Sequence, residues 1–445
     1  MRKTNVSIYL SLVLLTFLSS LLIATGKGLY PLIVLLGLLF SLLTFANPEI
    51  GIHIIVFSML FSPELKLTEV PGRAVVLRFD DVFLGVIFIS WLVHTAIFKK
   101  LGLLKSTPIN KNIYYYLGVY IISTGIGVLE NIVLFKKAFF YILKFVEYFL
   151  LFFMVSNFVS VKEHVKRVLI SVSFVFVLVV VYGYTQVGFG RVSCPFDVGE
   201  PSTFGAYVIL LMGLFLGMLM YAPSLFWRAI FLLLFLFPIK PLLYSYSRAS
   251  YLAFFPMTAF PVIFSKKKSF IVIAVYILSI LLLLKLLPES VKQRVKETFI
   301  TDPQTGHVTF EESSQARINK WREVLFYHFP KRPLLGWGVT GVGFIDSQYF
   351  RILGETGLVG VVVFLWLLYA IYRSLFKNLS IVNEWWEKGF LLGLLSGYTG
   401  LLFHALTSNT FIIVRVMEPF WLLVALGMML PGLSPEVANA DKGLH

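Results

Sequence analysis

Apolar runs of about 20 residues recur along the chain, and this feature constrains the fold more than any other. A helix of about 20 apolar residues crosses the hydrocarbon core of a bilayer and satisfies its own backbone hydrogen bonds. With 58% hydrophobic and 14% charged residues, the composition excludes a soluble globular protein. We therefore predict an all-α polytopic membrane protein with about 12–14 transmembrane helices. The predicted apolar segments are 7–25, 29–46, 49–62, 82–98, 113–128, 138–157, 167–187, 204–222, 226–244, 250–264, 269–287, 357–375, 389–407 and 411–430.

Short lysine-rich segments mark alternate loops, for example "KKLGLLKSTPINKN" and "SKKKS". Because basic loops stay on the cytoplasmic side, we predict a cytoplasmic N-terminus and interpret the first apolar run as an uncleaved span. The opposite side then receives the loops at 63–81 and 188–203 and the largest non-membrane segment. The predicted organisation is an N-terminal transmembrane bundle (1–287), a large external loop (288–350), and a C-terminal three-helix transmembrane segment with a short cytoplasmic tail (351–445).

The segment "SYSRAS" places Arg248 between two apolar stretches, and no Asp or Glu occurs from Pro201 to Pro288. A charge near hydrocarbon needs a partner or access to water. The counter-charge of Arg248 must therefore come from a distant part of the sequence or from a bound anion. Arginine predominates among the cations of the external loops, and its planar fork binds phosphate or carboxylate through two hydrogen bonds. Pairing with acids of the large loop remains the alternative, above all for Arg294, Arg332 and Arg351.

Ionisable residues inside the predicted spans lie mostly toward the external side. Lys144 and Glu147 are one helical turn apart, as are Arg415 and Glu418, so each pair shares a helix face. Two internally satisfied ion pairs would explain this spacing. Charges within membrane segments are also candidates for function, and their placement favours a polar cavity that opens outward.

The large loop carries an amphipathic pattern at 315–329, "QARINKWREVLFYHF", which predicts a helix lying in the membrane interface. Glycines at 336, 338 and 341 formally match a dinucleotide-binding pattern, but no strand precedes them. They instead allow a tight backbone path, and their N–H groups could hold an anion. Asp346 then opens an apolar segment, where it can cap a helix or act as a general base.

These features resemble the bacterial O-antigen ligase and O-antigen polymerase superfamily over roughly residues 110–430, most strongly over 240–360. The Ser-Arg-small motif of that family matches Ser247–Ser250, and its earlier arginine corresponds to Arg191 ahead of "EPSTFGAYVIL". In the large loop, this chain has the family's pattern of an arginine, a tryptophan, a proline and glycines in that order. The segment "DSQYFRILGETGLVG" that follows matches the family's Glu-x-Gly-Leu-x-Gly motif. Ligases of the family usually have histidine where this chain has Asp346, and this departure slightly favours a polymerase.

The resemblance implies transfer of a glycan from undecaprenyl diphosphate to an acceptor hydroxyl at the periplasmic face of the bacterial inner membrane. The acceptor would be another glycan, or lipid A-core or protein for a ligase, and a chain-length regulator could assist. A lipid-linked glycan transporter, or a glycosyltransferase that uses lipid monophosphate sugars, remains an alternative. The net charge is +15, but the basic residues lie in loops between spans, so the charge does not indicate nucleic-acid binding. The single Cys194 excludes a multi-cysteine zinc site. The expected site has no metal or cofactor; it comprises Asp346 and Arg248 for catalysis, Arg191, Arg248, Arg317 and Arg415 for diphosphate binding, and Arg322, His404 and Ser250 as accessory candidates.

Overall fold

The computed structural model describes residues 39–98, 104–264, 299–301 and 308–434, apart from 41, 46, 71–72 and 198–199, together with isolated positions between 277 and 293. The chain divides into two compact units, residues 1–105 and 106–445. This division falls inside the predicted N-terminal bundle.

In the described residues of the first unit, a β-hairpin joins one helix to the next: α1 (Pro48–Phe61), β1 (Glu64–Val70), β2 (Arg73–Arg78) and α2 (Phe79–Phe98). Asn47 caps α1, because its side chain accepts a hydrogen bond from the Glu49 N–H at 3.0 Å. Asp81 accepts the Arg78 N–H at 3.0 Å, so an acidic side chain also satisfies the start of α2.

The second unit is a helical bundle whose centre is a pair of antiparallel helices rich in glycine. One of them, Pro201–Tyr221, is apolar on all sides and buried along its length, as expected for the innermost helix of a bundle. The helices of this unit are α3 (Asn110–Leu129), α4 (Phe135–Phe158), α5 (Lys162–Gln186), α6 (Pro201–Tyr221), α7 (Leu225–Leu236), α8 (Ile239–Tyr244), α9 (Arg248–Phe264), α10 (Glu312–Glu323), α11 (Gln348–Ile381), α12 (Trp385–His404) and α13 (Val414–Met429).

Glycines allow the backbones of α6 and α12 to touch. A Cβ atom at Gly213 would lie 2.3 Å from the Gly397 nitrogen, and one at Gly217 would lie 2.2 Å from the Gly393 nitrogen. Membrane helices gain little from hydrophobic burial against each other, so close backbone packing at small residues contributes much of their association. The Ser396 hydroxyl donates to the Met257 carbonyl at 2.6 Å and links α12 to α9.

The prediction of an all-α polytopic membrane protein is confirmed, and the described residues also form two short hairpins, β1–β2 and β3–β4 (Phe299–Thr301 with Val308–Phe310). In the described residues, 7 helices are long and apolar enough to cross a membrane, and three shorter helices are apolar. The predicted spans 7–25 and 269–287, and most of 29–46, lie outside the described residues. The predicted span 226–244 is counted among these 7 as Leu225–Tyr244, although a turn at the "FPIKP" segment divides it into α7 and α8.

The predicted loop helix forms as α10, followed by a π-helical turn (Val324–His328) and a short helical turn (Phe329–Lys331). Its apolar face is partly covered by the protein itself: Trp321 stacks on Phe350 with ring centroids 5.0 Å apart, and Val324 is buried. Phe326 and Tyr327 are exposed just beyond it. Lys320 donates a hydrogen bond to Glu323, and this bond lowers the pKa of the Glu323 carboxyl below its usual value.

Candidate functional site: an arginine cluster at one end of the bundle

Arg248, the first residue of α9, pairs with an acid of the large loop. Its Nη2 donates to Glu311 Oε1 at 2.8 Å and to Ser313 Oγ at 3.0 Å, and its Nη1 donates to Ser314 Oγ at 3.0 Å. A distant carboxylate therefore supplies the counter-charge that no neighbour in sequence could supply. The side chains of Arg248 and Glu311 are each 21% exposed, so water or a ligand can reach the pair.

A second guanidinium–carboxylate pair lies one helical turn further along α10. Arg317 Nε donates to Asp346 Oδ2 at 2.9 Å, and both side chains are about one-third exposed, at 35% and 31%. Residues three and four apart share a helix face, so Arg317 follows Ser313 and Ser314 on the face that receives Arg248. The two predicted catalytic residues, Arg248 and Asp346, are thus connected through α10.

Arg191 approaches the segment that leads into Arg248. Its Nε and Nη2 donate to the carbonyls of Ser245 and Tyr246, each at 3.4 Å. The N–H of Val192 donates to the Tyr244 carbonyl at 3.0 Å. The loop after α5 is therefore hydrogen bonded to the turn that positions Arg248.

Arg415, at the start of α13, is 2% exposed and lies against the same loop. Its Nη1 donates to the Pro195 carbonyl at 3.0 Å, and its Nε lies 3.9 Å from Asp197 Oδ2. These contacts bring Arg415 to the loop that carries Arg191. The burial of Arg415 favours a role in holding this loop.

The segment carrying Asp346 is fixed to the turn between α12 and α13. The Asn409 amide donates to the Ile345 carbonyl at 2.6 Å, and the Gln348 N–H donates to the Ala405 carbonyl at 3.0 Å. The Ser347 side chain makes no cap bond, and α11 begins at Gln348, so Asp346 precedes the helix by two residues. Asp346 is positioned by an anchored backbone and its carboxylate is held by Arg317.

The contacts connect the four arginines predicted for diphosphate binding at one end of the second unit. This end is formed by the loops after α5, before α9, before α11 and before α13. Hydrogen bonds from Arg191 and the residue after it to residues 244–246 connect Arg191 with the turn before Arg248. Arg248 in turn contacts α10, the helix that carries Arg317. We refer to Arg191, Arg248, Arg317 and Arg415 together as the arginine cluster.

The three accessory candidates occupy different surroundings. Ser250 is buried, and its hydroxyl donates to Ser247 Oγ at 2.8 Å, directly against Gly205 of α6. His404 is buried at the end of α12 with Nδ1 2.7 Å from Thr410 Oγ1, and its Nε2 has no hydrogen-bond partner among the described residues. Arg322 is exposed on α10 without a hydrogen bond or ion pair to any described residue. Of the three, Arg322 is the most accessible to a ligand.

The glycine-rich segment packs its backbone against α11 instead of facing an open anion site. The N–H groups of Trp337 and Gly338 donate to the carbonyls of Gly354 and Glu355 at 3.0 and 2.8 Å. A Cβ at Gly336 would lie 2.6 Å from the Glu355 carbonyl carbon. The predicted tight backbone path is therefore present, and the N–H groups of residues 337 and 338 are already used by carbonyl groups.

Glu311, Ser313 and Ser314 contact the cluster but were missed from sequence. The run "EESS" at 311–314 is the only local signal, and it looks like an ordinary helix start. Two of the arginines expected to pair with loop acids pair elsewhere: Arg332 with Glu130 of the segment after α3, and Arg351 with Glu355 one turn along α11. Arg294 lies outside the described residues.

Gly357→Ala is expected to lower the unfolding temperature, because it disrupts the packing of the glycine-rich segment against α11. Gly357 has φ +63°, and a Cβ there would lie 2.5 Å from the Leu334 carbonyl carbon, so strain and a backbone clash act together. With φ +63° and ψ −162°, Gly357 lies in a backbone region that is almost exclusive to glycine, and holding another residue there costs about 1–3 kcal/mol. Gly343→Ala is the matched control, because Gly343 has φ +74° with open space around it. Thermal unfolding in detergent should show the larger loss for Gly357→Ala; equal losses would contradict the packing of Gly357 against Leu334.

The fold and the arginine cluster define a class: a multi-pass membrane protein that gathers guanidinium and carboxylate groups at one end of its bundle. Residues 233–365 match the family model described as O-antigen ligase, and this match confirms the resemblance to the O-antigen ligase and polymerase superfamily. The match supports an activity of the O-antigen ligase or polymerase type, and that family implies a glycosyltransferase-like reaction. The matched region includes Arg248, Arg317 and Asp346, whereas Arg191 and Arg415 lie outside it. A search of curated proteins finds no match to this chain.

Proposed function

We propose that the chain transfers a glycan from undecaprenyl diphosphate to an acceptor sugar hydroxyl at the periplasmic face of the bacterial inner membrane, with polymerisation of repeat units as the leading form. The observation that carries this proposal is the approach of Arg248 to the face of α10 that carries Arg317, where Arg317 in turn contacts Asp346. The contact of Arg248 on α10 and the position of Arg317 differ by about one helical turn, ~5 Å, which two linked phosphate groups can bridge. Bidentate guanidinium groups suit such a ligand better than lysine would.

In the proposed reaction, the bond between the anomeric carbon and the diphosphate oxygen breaks as the acceptor oxygen bonds to that carbon. The electron pair of the broken bond remains on the diphosphate, whose growing charge Arg248 and Arg317 stabilise. Attack from the face opposite the leaving group inverts the configuration. Arg191 lies where it can add to this positive field, and Arg415 holds the loop that carries Arg191.

Asp346 is the proposed acceptor of the hydroxyl proton. Its Oδ2 accepts the hydrogen bond from Arg317, and no described residue donates to its Oδ1, which leaves that oxygen for the acceptor hydroxyl. His404 is the less suitable candidate, because it is fully buried behind the turn that supports Asp346. We assign no step to a metal or a cofactor.

The acceptor decides between polymerase and ligase. Purified protein in proteoliposomes would receive an oligosaccharide linked to undecaprenyl diphosphate, alone or with lipid A-core, in excess EDTA. We expect a ladder of lengthened lipid-linked chains when the donor is alone. Transfer only to added lipid A-core would instead identify a ligase, and transfer that requires added Mg²⁺ or Mn²⁺ would contradict the metal-independent mechanism.

A transporter of lipid-linked glycans is the non-enzymatic alternative. It would leave the glycan on its carrier and move the intact glycolipid across the bilayer. The position of the arginine cluster at one end of the bundle favours a transferase, since transporter sites lie near the midplane. Failure of transfer to every acceptor, with movement of the glycolipid, would contradict the proposal.

A further inference from the structure

The carboxylate of Glu311 and two serine hydroxyls occupy the terminal nitrogens of Arg248, which a phosphate would also use. Both terminal nitrogens of Arg248 donate to the start of α10: Nη2 to Glu311 and Ser313, and Nη1 to Ser314. A carboxylate and a phosphate present similar pairs of oxygens to a guanidinium group. A diphosphate that binds these nitrogens of Arg248 must therefore displace Glu311.

Glu311 is the N-cap residue of α10, and its side chain makes no cap bond to that helix. The Ser313 hydroxyl instead donates to Glu311 Oε1 and supports it against Arg248. The start of α10 is thus attached to α9 through the same group that the proposed substrate needs.

We propose that Glu311 acts as a latch: it occupies Arg248 in the free protein and is displaced by the diphosphate of the substrate. This inference rests on the proposed function, because it assumes that Arg248 binds a diphosphate. Displacement frees residues 311–317, the part of the loop that carries Arg317, when substrate arrives. Every anion must break the same Glu311–Arg248 ion pair before it can bind. An anion that makes only one phosphate contact, such as the headgroup of a surrounding lipid, does not offset this free energy and therefore does not occupy the site.

The exposure of the pair sets the size of the effect. With each side chain 21% exposed, solvent screens the Glu311–Arg248 interaction, and a pair of this kind shifts an equilibrium constant by up to about fivefold. The latch is therefore strong enough to hold the loop and weak enough for a diphosphate to open.

Inorganic pyrophosphate is the probe, and the dissociation constant is measured by calorimetry with the full chain in detergent. Glu311→Gln is expected to tighten pyrophosphate binding about fivefold relative to Glu312→Gln. Glu312→Gln is the matched control, since it removes the same charge one residue away, and Glu312 is exposed without a hydrogen bond or ion pair to any described residue. Ser313→Ala, which removes the support of Glu311, should give an intermediate affinity even if Glu311→Gln fails to fold.

Hydrogen exchange gives a second readout. In the wild-type protein, pyrophosphate should speed amide exchange at residues 311–317, whereas in Glu311→Gln exchange there should already be fast and should not rise further. Equal affinities of Glu311→Gln and Glu312→Gln would overturn the latch, and weaker binding by Glu311→Gln would show that Glu311 positions Arg248 instead. Absence of pyrophosphate binding in the wild-type protein would count against the proposed function itself, independently of Glu311.

Discussion

Arg248→Lys is expected to lower the rate of glycan transfer about a hundredfold or more, the loss typical of removing one preorganised group that stabilises a developing negative charge. Lysine keeps the positive charge, but its ammonium cannot reproduce the two parallel hydrogen bonds of the guanidinium fork. Arg248 contacts Glu311 and Ser313 through Nη2 and Ser314 through Nη1, two nitrogens that lysine replaces with one. The rate would be measured in proteoliposomes with a saturating lipid-linked donor.

Arg373→Lys is the matched control for this prediction. Arg373 is exposed on α11, remote from its start, and has no ion pair with any described residue. The control should transfer glycan at the wild-type rate, and both variants should unfold at the wild-type temperature. Near-normal transfer by Arg248→Lys would show that positive charge alone suffices and would contradict bidentate binding of the diphosphate by Arg248.

Gly213→Ala is expected to lower severely the amount of folded protein recovered from membranes, and by more than Gly357→Ala does. The new Cβ would lie 2.3 Å from the nitrogen of Gly397 and 2.5 Å from its Cα, so the backbones of α6 and α12 must separate. Overpacking of this kind costs about 1–3 kcal/mol, and the shift would extend along the whole helix pair. Adding Gly217→Ala should lower recovery further, because Gly217 meets Gly393 in the same way.

Gly118→Ala provides the comparison. Gly118 lies within α3, and a Cβ there would have no atom within 4 Å. Alanine is the better helix former, so this variant should be as stable as the wild type or slightly more stable. Recovery from membranes and thermal unfolding in detergent would be measured for all variants in parallel. Equal recovery of Gly213→Ala and Gly118→Ala would contradict direct backbone contact between α6 and α12.

The helices could largely be predicted from the sequence, because apolar length is a local property. The segment predicted at 138–157 forms α4 over Phe135–Phe158, and the break at "FPIKP" separates α7 from α8. The close pair α6–α12 also has a local signal, since the contacting glycines on each helix, such as Gly213 and Gly217, are four residues apart. The span count over the whole chain remains a prediction, because several segments lie outside the described residues.

The partners of the charged residues could not be predicted, because they depend on which loops meet. Arg248 and Glu311 are 63 positions apart, and Arg317 and Asp346 are 29 apart. The resemblance to a family identified the arginines and Asp346, but nothing local distinguishes Glu311 from Glu312 beside it. Arg351 was expected to pair with an acid of the loop, and its actual partner, Glu355, is its neighbour on α11.

Release of the lipid carrier tests the proposed transfer reaction most directly. Wild-type protein in proteoliposomes would be given a radiolabelled oligosaccharide on undecaprenyl diphosphate, and free undecaprenyl diphosphate would be counted against new glycosidic bonds. We expect one carrier to be released for each bond formed, with both products falling together in Arg248→Lys. Passage of the intact glycolipid across the bilayer, with no free carrier, would contradict a transferase.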